Sequence, residues 1–253
     1  MIYSLTIGVA TGISAGYLGS LMVMKKMALV GDAFSHVALP GIALGLRFGF
    51  NPFLGAFAFL FASAITVWHI GRVTKLSFES IVGAMFTLAL AIGILLVPEP
   101  DLLEALFGDI SQVGMLDMII AVLISVAAIL LTKAIYKKIV LGMISEDLAV
   151  SKGINVAATN LLYLLLVSLI VAVGIRITGT LLVGFLVIVP GISGKNVSQN
   201  LSQFAIASAI FGAVSAIAGI LSSQYLNQNP GPLIVVAGIA IFAFTVVYRW
   251  RAE

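Results

Sequence analysis

The sequence predicts an all-α polytopic membrane protein with about nine transmembrane helices, eight being the other count it allows. Three observations predict this. Of its 253 residues, 61% are hydrophobic and only 9% charged, where soluble domains carry about 25% charged residues. The mean hydropathy is +1.21. Apolar runs that cross or nearly cross a bilayer, about 20 residues each, recur between short polar breaks from one end to the other. Residues 1–253 therefore read as a single transmembrane domain. There is no cysteine, which excludes disulfides and thiolate metal sites.

In order, the first run is Leu5–Met24. No basic segment precedes it and no small-residue cleavage site follows, so it reads as a retained span and not a signal peptide. Spans are next expected at Asp32–Leu46, Pro52–Gly71, Phe78–Val97 and Met115–Tyr136. Beyond a longer polar insert come Thr159–Ile175, Thr178–Gly191, Phe204–Tyr225 and Pro232–Tyr248. Thr178–Gly191 is the weakest of the nine: it is short and ends in Pro190-Gly191. Broken helices of this kind are tolerated only where protein or a water-filled cavity surrounds them. Charge supports nine crossings with the N-terminus outside and the C-terminus cytoplasmic. Of the thirteen lysines and arginines, only Arg47 and Arg176 then fall outside, the asymmetry of the positive-inside rule. That rule also accounts for the net charge of +3 without a nucleic-acid partner. Gly8, Gly12, Gly16 and Gly19 in the first span, with Gly41 and Gly45 in the second, have the spacing that lets helices approach closely.

One stretch carries chemistry. Gly31-Asp32-Ala33-Phe34-Ser35-His36-Val37-Ala38-Leu39-Pro40-Gly41 sets an acid and an imidazole four residues apart, one helical turn, on a common face. Ionisable groups in a membrane segment are costly and by default mark an ion or proton path. Pro40 lacks the N–H that would pair with the His36 carbonyl, which frees one more oxygen beside the pair. Carboxylate, imidazole and carbonyl could together receive a divalent cation in passing. The plainer reading makes Asp32 an N-cap and His36 a satisfied interior histidine. Pro40, Gly41 and Pro190 read as helix hinges.

A second stretch, residues 144–155, lies in the polar insert. Ser145 suits an N-cap, Glu146 and Asp147 suit a first turn, and Gly153 suits a C′ stop, bounding a short helix through Leu148 and Ala149. Such a helix either docks into a partner's groove or merely connects two spans. The loop with Glu99, Asp101, Glu104 and Asp109 is acidic. It either concentrates cations at an outer mouth or is an ordinary solvated loop. No G-x-x-x-x-G-K-[ST] is present, so this chain is expected to hydrolyse no ATP, and it shows no enzyme motif. His69, beside Trp68, reads as an interfacial anchor.

With these motifs placed, the chain resembles the membrane subunit of ABC importers for zinc, manganese or iron(II). Gly31 through Leu44 resembles that family's most characteristic stretch. Leu106-Phe107-Gly108-Asp109-Ile110 resembles its outer-loop motif, and Ile144 through Ala149 followed by Gly153 resembles the segment that contacts the ATPase. The resemblance implies a permease of the cobalamin-importer type, working as a homodimer or a pair of similar permeases. It implies separate cytoplasmic ATPase subunits that bind ATP, an extracytoplasmic metal-binding protein, and a location in the cell inner or plasma membrane. It makes Asp32 and His36 a transient site for the transported metal and Glu146–Gly153 a coupling helix. No cofactor of the chain's own is implied. After Pro190 the family continues with alanines and a threonine leading to an arginine. Here Gly191-Ile192-Ser193-Gly194-Lys195 replaces a forked guanidinium with a point charge. Two rivals remain: a proton-coupled secondary metal carrier without an ATPase, and an importer of cobalamin or siderophores.

Overall fold

The computed structural model describes residues 2–74, 76–96 and 114–252. Every regular element among them is a helix: α1 Ile2–Met24, α2 Ala28–Phe48, α3 Pro52–Val73, α4 Phe78–Leu96, α5 Met115–Ile144, α6 Glu146–Ser151, α7 Val156–Val197, α8 Leu201–Leu226 and α9 Pro230–Ala252. Local chemistry sets several ends. Asn51, Asn155 and Asn200 cap α3, α7 and α8, accepting from the amides of Phe53, Ala158 and Gln203. Pro52 at the first turn of α3 sacrifices an N–H that would be unpaired anyway. Gly49 and Asn227 close α2 and α8 in the left-handed region, which glycine and asparagine enter at least cost.

Helix α7 is two helices in one. Its backbone leaves helical geometry at Gly179 (φ 71°, ψ 177°). There the chain doubles back: a Cβ on Gly174 would collide with the Val183 side chain, which a straight helix would hold about 13 Å away. The two arms are α7a (156–175) and α7b (183–197). Pro190 lies within α7b.

The expectation of nine crossings is corrected here. Among the described residues, seven stretches are long and apolar enough to cross a membrane: α1, α3, α4, α5, α7a, α8 and α9. The expected span Thr178–Gly191 is the back-folded arm α7b, apolar but short. The expected span Asp32–Leu46 is α2, which begins four residues earlier and is outside the seven. It packs on α3, α4 and α7, so protein and not lipid surrounds most of it, and it can carry polar groups there.

Helix α1 lies against α7 and α8, and α9 against α7 and α8. The predicted small-residue spacing is used where α1 crosses α8: a Cβ on Gly12 or on Gly212 would strike the other's backbone carbonyl. Gly41 of α2 and Gly55 of α3 make the same reciprocal contact. The outward faces of α5, α8 and α9 bear Leu123, Leu130, Ile206, Ile210, Val236 and Phe244, all exposed in the single chain. Replacing Gly12 with leucine is expected to lower the thermal midpoint and the monodisperse yield in detergent, since overpacking costs about 1–3 kcal/mol. Gly83→Leu, which would meet nothing within 4 Å, should leave both unchanged; equal loss in both variants would overturn the packing argument.

Candidate functional site

Helix α2 starts at Ala28, with Met27 at the N-cap and no side-chain cap. Asp32 is therefore the fifth residue of the helix, and its reading as an N-cap is corrected: its carboxylate closes no helix end. Asp32 is half-buried and its backbone lies flush on α7b, where a Cβ on Gly184 would meet the Asp32 Cα. One turn on, His36 is 8% exposed. Its ring meets Phe86 of α4 edge-on, with centroids 5.2 Å apart. The Nδ1 atom of His36 is buried without a hydrogen-bond partner. An unpaired buried polar atom costs about 1–3 kcal/mol.

The surroundings of this pair are backbone-rich. Ser35 donates to the Asp32 carbonyl at 2.5 Å. Pro40, buried, sits inside α2 one turn beyond His36, and Gly41 next to it seats the helix on α3. Asp32 packs on α7b at Gly184, five residues past the break at Gly179, and interrupted backbone at membrane depth is tolerated where protein or a cavity surrounds it. Among the described residues no group of three or more His, Cys, Asp or Glu side chains could hold a metal. Asp32 and His36 are two donors, short of a closed four-ligand site.

The second predicted stretch forms as its residues suggest. Ser145 Oγ accepts from the Leu148 amide at 3.2 Å. Helix α6 then runs from Glu146 through Asp147, Leu148 and Ala149 to Ser151, and Gly153 follows in the left-handed region (φ 73°). Ala149 is buried, whereas Leu148 (45% exposed) and Val150 (59% exposed) project outward. This six-residue helix is thus held by one alanine and presents two aliphatic side chains outward.

Sequence reasoning missed what stands beside it. Lys25, in the link between α1 and α2, donates to Asn160 Oδ1 of α7a at 2.6 Å. Its Nζ lies 5.8 Å from the Tyr163 ring centroid. It lines a cavity of about 600 Å³ with Trp68, Arg72, Glu146 and Asn160. Trp68 donates its indole N–H to the Ala157 carbonyl at 2.8 Å and tethers α3 to α7a. These partners are 89 and 135 residues apart in sequence, and no local pattern announces them. His69 is exposed. Lys75, the acidic loop with Glu99, Asp101, Glu104 and Asp109, and the motif Leu106–Ile110 lie outside the described residues.

Burial lowers the Lys25 pKa from 10.5 to about 8, because a low-dielectric surrounding disfavours the ammonium. Between about pH 8 and 10.5 the unfolded chain then binds more protons at this group than the folded one. The group's contribution to stability is least below pH 8 and rises with pH across that window. The thermal midpoint of the purified protein, measured against that of Lys25→Met, is expected to climb from about pH 7 to about pH 10. A flat difference would show that the ammonium is better solvated than its position implies.

A helical bundle whose most enclosed helix carries an acid and an under-bonded imidazole, and whose insert forms a small exposed helix, has the build of a membrane transport subunit. The comparisons with known proteins give the family. The chain belongs to the ABC 3 transport family, whose profile matches residues 1–249. It is 29% identical over 249 residues to the manganese transport system membrane protein MntC of Listeria monocytogenes, covering 97% of this chain and 89% of that one. It is 26% identical to a probable iron transport system membrane protein of Haemophilus influenzae, over 98% of this chain and 89% of that one. Among solved structures it is similar to PsaBC from Streptococcus pneumoniae in complex with Fab, with a TM-score of 0.83, 28% identity, and 96% and 89% of the two chains covered. A putative metal-chelate type ABC transporter in an inward-facing conformation shares the fold, with a TM-score of 0.81 at 18% identity over 98% and 85% of the chains.

Proposed function

We infer that this chain is the membrane-spanning permease subunit of an ATP-driven importer of a divalent transition metal ion, manganese or iron(II) ahead of zinc. The observation that carries the reading is the family match over residues 1–249, together with relatives named for manganese and iron over nearly their full length. Family membership favours an ABC importer over a proton-coupled carrier. Zinc rests on the donor types alone, since carboxylate and imidazole suit all three metals.

In this reading Asp32 and His36 meet the ion in passing. A conducting site must strip some water yet let go, and two donors from each of two permease copies would form such a partial shell. The unpaired His36 Nδ1 supports it: a buried nitrogen that no protein group satisfies is a donor in reserve. The break at Gly179, five residues before the Gly184 that seats Asp32, supports it too, since transporters build substrate sites where helices are interrupted. Pro40, Gly41 and Pro190 serve as the hinges. ATP binds to separate cytoplasmic subunits, which grip α6 through Leu148 and Val150, with Ser145, Glu146, Asp147, Ala149 and Gly153 holding its shape. A soluble metal-binding protein delivers the ion from outside. The N-terminus then lies outside and the C-terminus in the cytoplasm.

Two experiments test this. In cells expressing the full complex, Asp32→Ala and His36→Ala are each expected to cut accumulation of manganese or iron, measured elementally, by about tenfold or more, the scale usual when a metal site loses one of its groups. Unchanged uptake with normal expression removes the site; unchanged metal content on deleting the whole subunit removes the function. Leu148→Asp is expected to abolish co-purification of the nucleotide-binding subunit while the permease still reaches the membrane. Retention of that subunit would show that α6 only joins two helices.

A further inference from the structure

A cavity remote from the Asp32–His36 pair lies between the ends of α1, α5 and α8 that face the α6 side of the bundle. It has a volume of about 630 Å³. Its wall is mainly aliphatic, with Ile129, Val140 and Ile206 among the lining side chains. Its charged groups are of one sign, and Ser202 adds a neutral hydroxyl. Lys133 and Lys137 of α5 line it, with the Tyr17 and Tyr136 rings, which pack at 6.0 Å. No acidic side chain is found among the described residues that line it.

Lys133 and Lys137 are four residues apart, so both ammonium groups reach the same side of α5, about 6 Å from one another at their roots. Both are exposed, while Thr132, Ile135 and Tyr136 between and beside them are buried. The next lysine, Lys138, points elsewhere: it lines a separate small cavity with Lys25 and Glu146. The faces of α5 and α8 flanking the larger cavity are apolar and exposed, through Leu130, Ile206 and Ile210. In a membrane this cavity opens toward acyl chains. Its rim of paired cations stands at the depth where lysines snorkel to the headgroups. An apolar slot with two cations at one end and no anion complements one kind of molecule: acyl chain within, negative charge at the rim.

We propose that the cavity between α1, α5 and α8 is a binding site for an anionic phospholipid of the inner leaflet, its phosphate held by Lys133 and Lys137 and an acyl chain lying in the aliphatic slot. The assignment of the leaflet rests on the orientation given above; the site and its charge preference do not. Tyr17 places the lipid against α1, the helix whose other faces meet α7 and α8, so occupancy would steady the bundle at that end.

The test is lipid retention by the purified permease complex, read by native mass spectrometry after exchange into mixed micelles of phosphatidylglycerol and phosphatidylcholine. Wild-type protein should keep phosphatidylglycerol in preference. Lys133→Gln combined with Lys137→Gln should weaken that preference roughly thirtyfold, at the few-fold-per-lysine strength usual near anionic surfaces. Lys138→Gln, on the same helix but facing away, should leave it unchanged. Equal loss from Lys138→Gln would mean a diffuse surface charge effect and overturn the site. So would displacement by glycerol phosphate, which shares the headgroup chemistry without a chain, or retention of both lipids alike by the wild type. Because the readout is lipid binding, it stands whether or not the Asp32 and His36 variants lose metal uptake.

Discussion

Where α1 crosses α8 and where α2 crosses α3, backbone meets backbone, and the rest of the bundle is arranged around those contacts. Lipid tails are as apolar as leucine, so no hydrophobic gain draws one spanning helix onto another. Close approach must supply the attraction through dispersion and weak C–H···O contacts, and only glycine permits it here. Gly12 against Gly212 and Gly41 against Gly55 are reciprocal: neither partner tolerates even a methyl group. The second contact lies beside Pro40. It holds the C-terminal half of α2 while the proline removes one internal hydrogen bond, so the helix has one clamped half and one half that packs on α7b through Gly184.

The same low-dielectric setting explains how polar side chains are handled. Most buried hydroxyls bond a carbonyl of their own helix: Ser14 to Ala10, Ser168 to Leu164, Ser208 to Phe204 and Ser215 to Phe211. Among the described residues, the His36 Nδ1 and the Thr11, Thr132 and Tyr136 hydroxyls are the buried polar atoms left unpaired. A second polar focus lies at the α6 end, where Lys25, Asn160, Trp68 and Arg72 connect the start of α2 to α3 and to the first turns of α7a. Glu146 of α6 faces the same cavity. Helix α6 thus lines the same cavity as the link that leads into the helix carrying Asp32 and His36.

Much of the helical plan was legible in the chain, because length and apolarity suffice to mark a span. Residues at the ends of α3 and α6 follow cap chemistry that can be read directly from Asn51-Pro52 and from Ser145 to Gly153. Two places were misjudged for definable reasons. The apolar run Ala28–Gly31 gives no boundary, so α2 was expected to start at Asp32 and that acid was open to a capping role. Around Arg176 and Thr178 the sequence suggested two separate spans, whereas a single non-helical residue, Gly179, folds α7 back on itself.

By itself, then, the sequence determined that the chain lives in a membrane, which segments are helical, and that an acid and an imidazole share one turn beside a proline. It also carried the family likeness. Only the tertiary structure decided that α2 is enclosed by α3, α4 and α7, that His36 is left with an unpaired nitrogen against Phe86, and that Lys25 reaches Asn160. Burial and pairing depend on groups such as Lys25 and Asn160, 135 residues apart in sequence, and helical periodicity carries information over only a few turns.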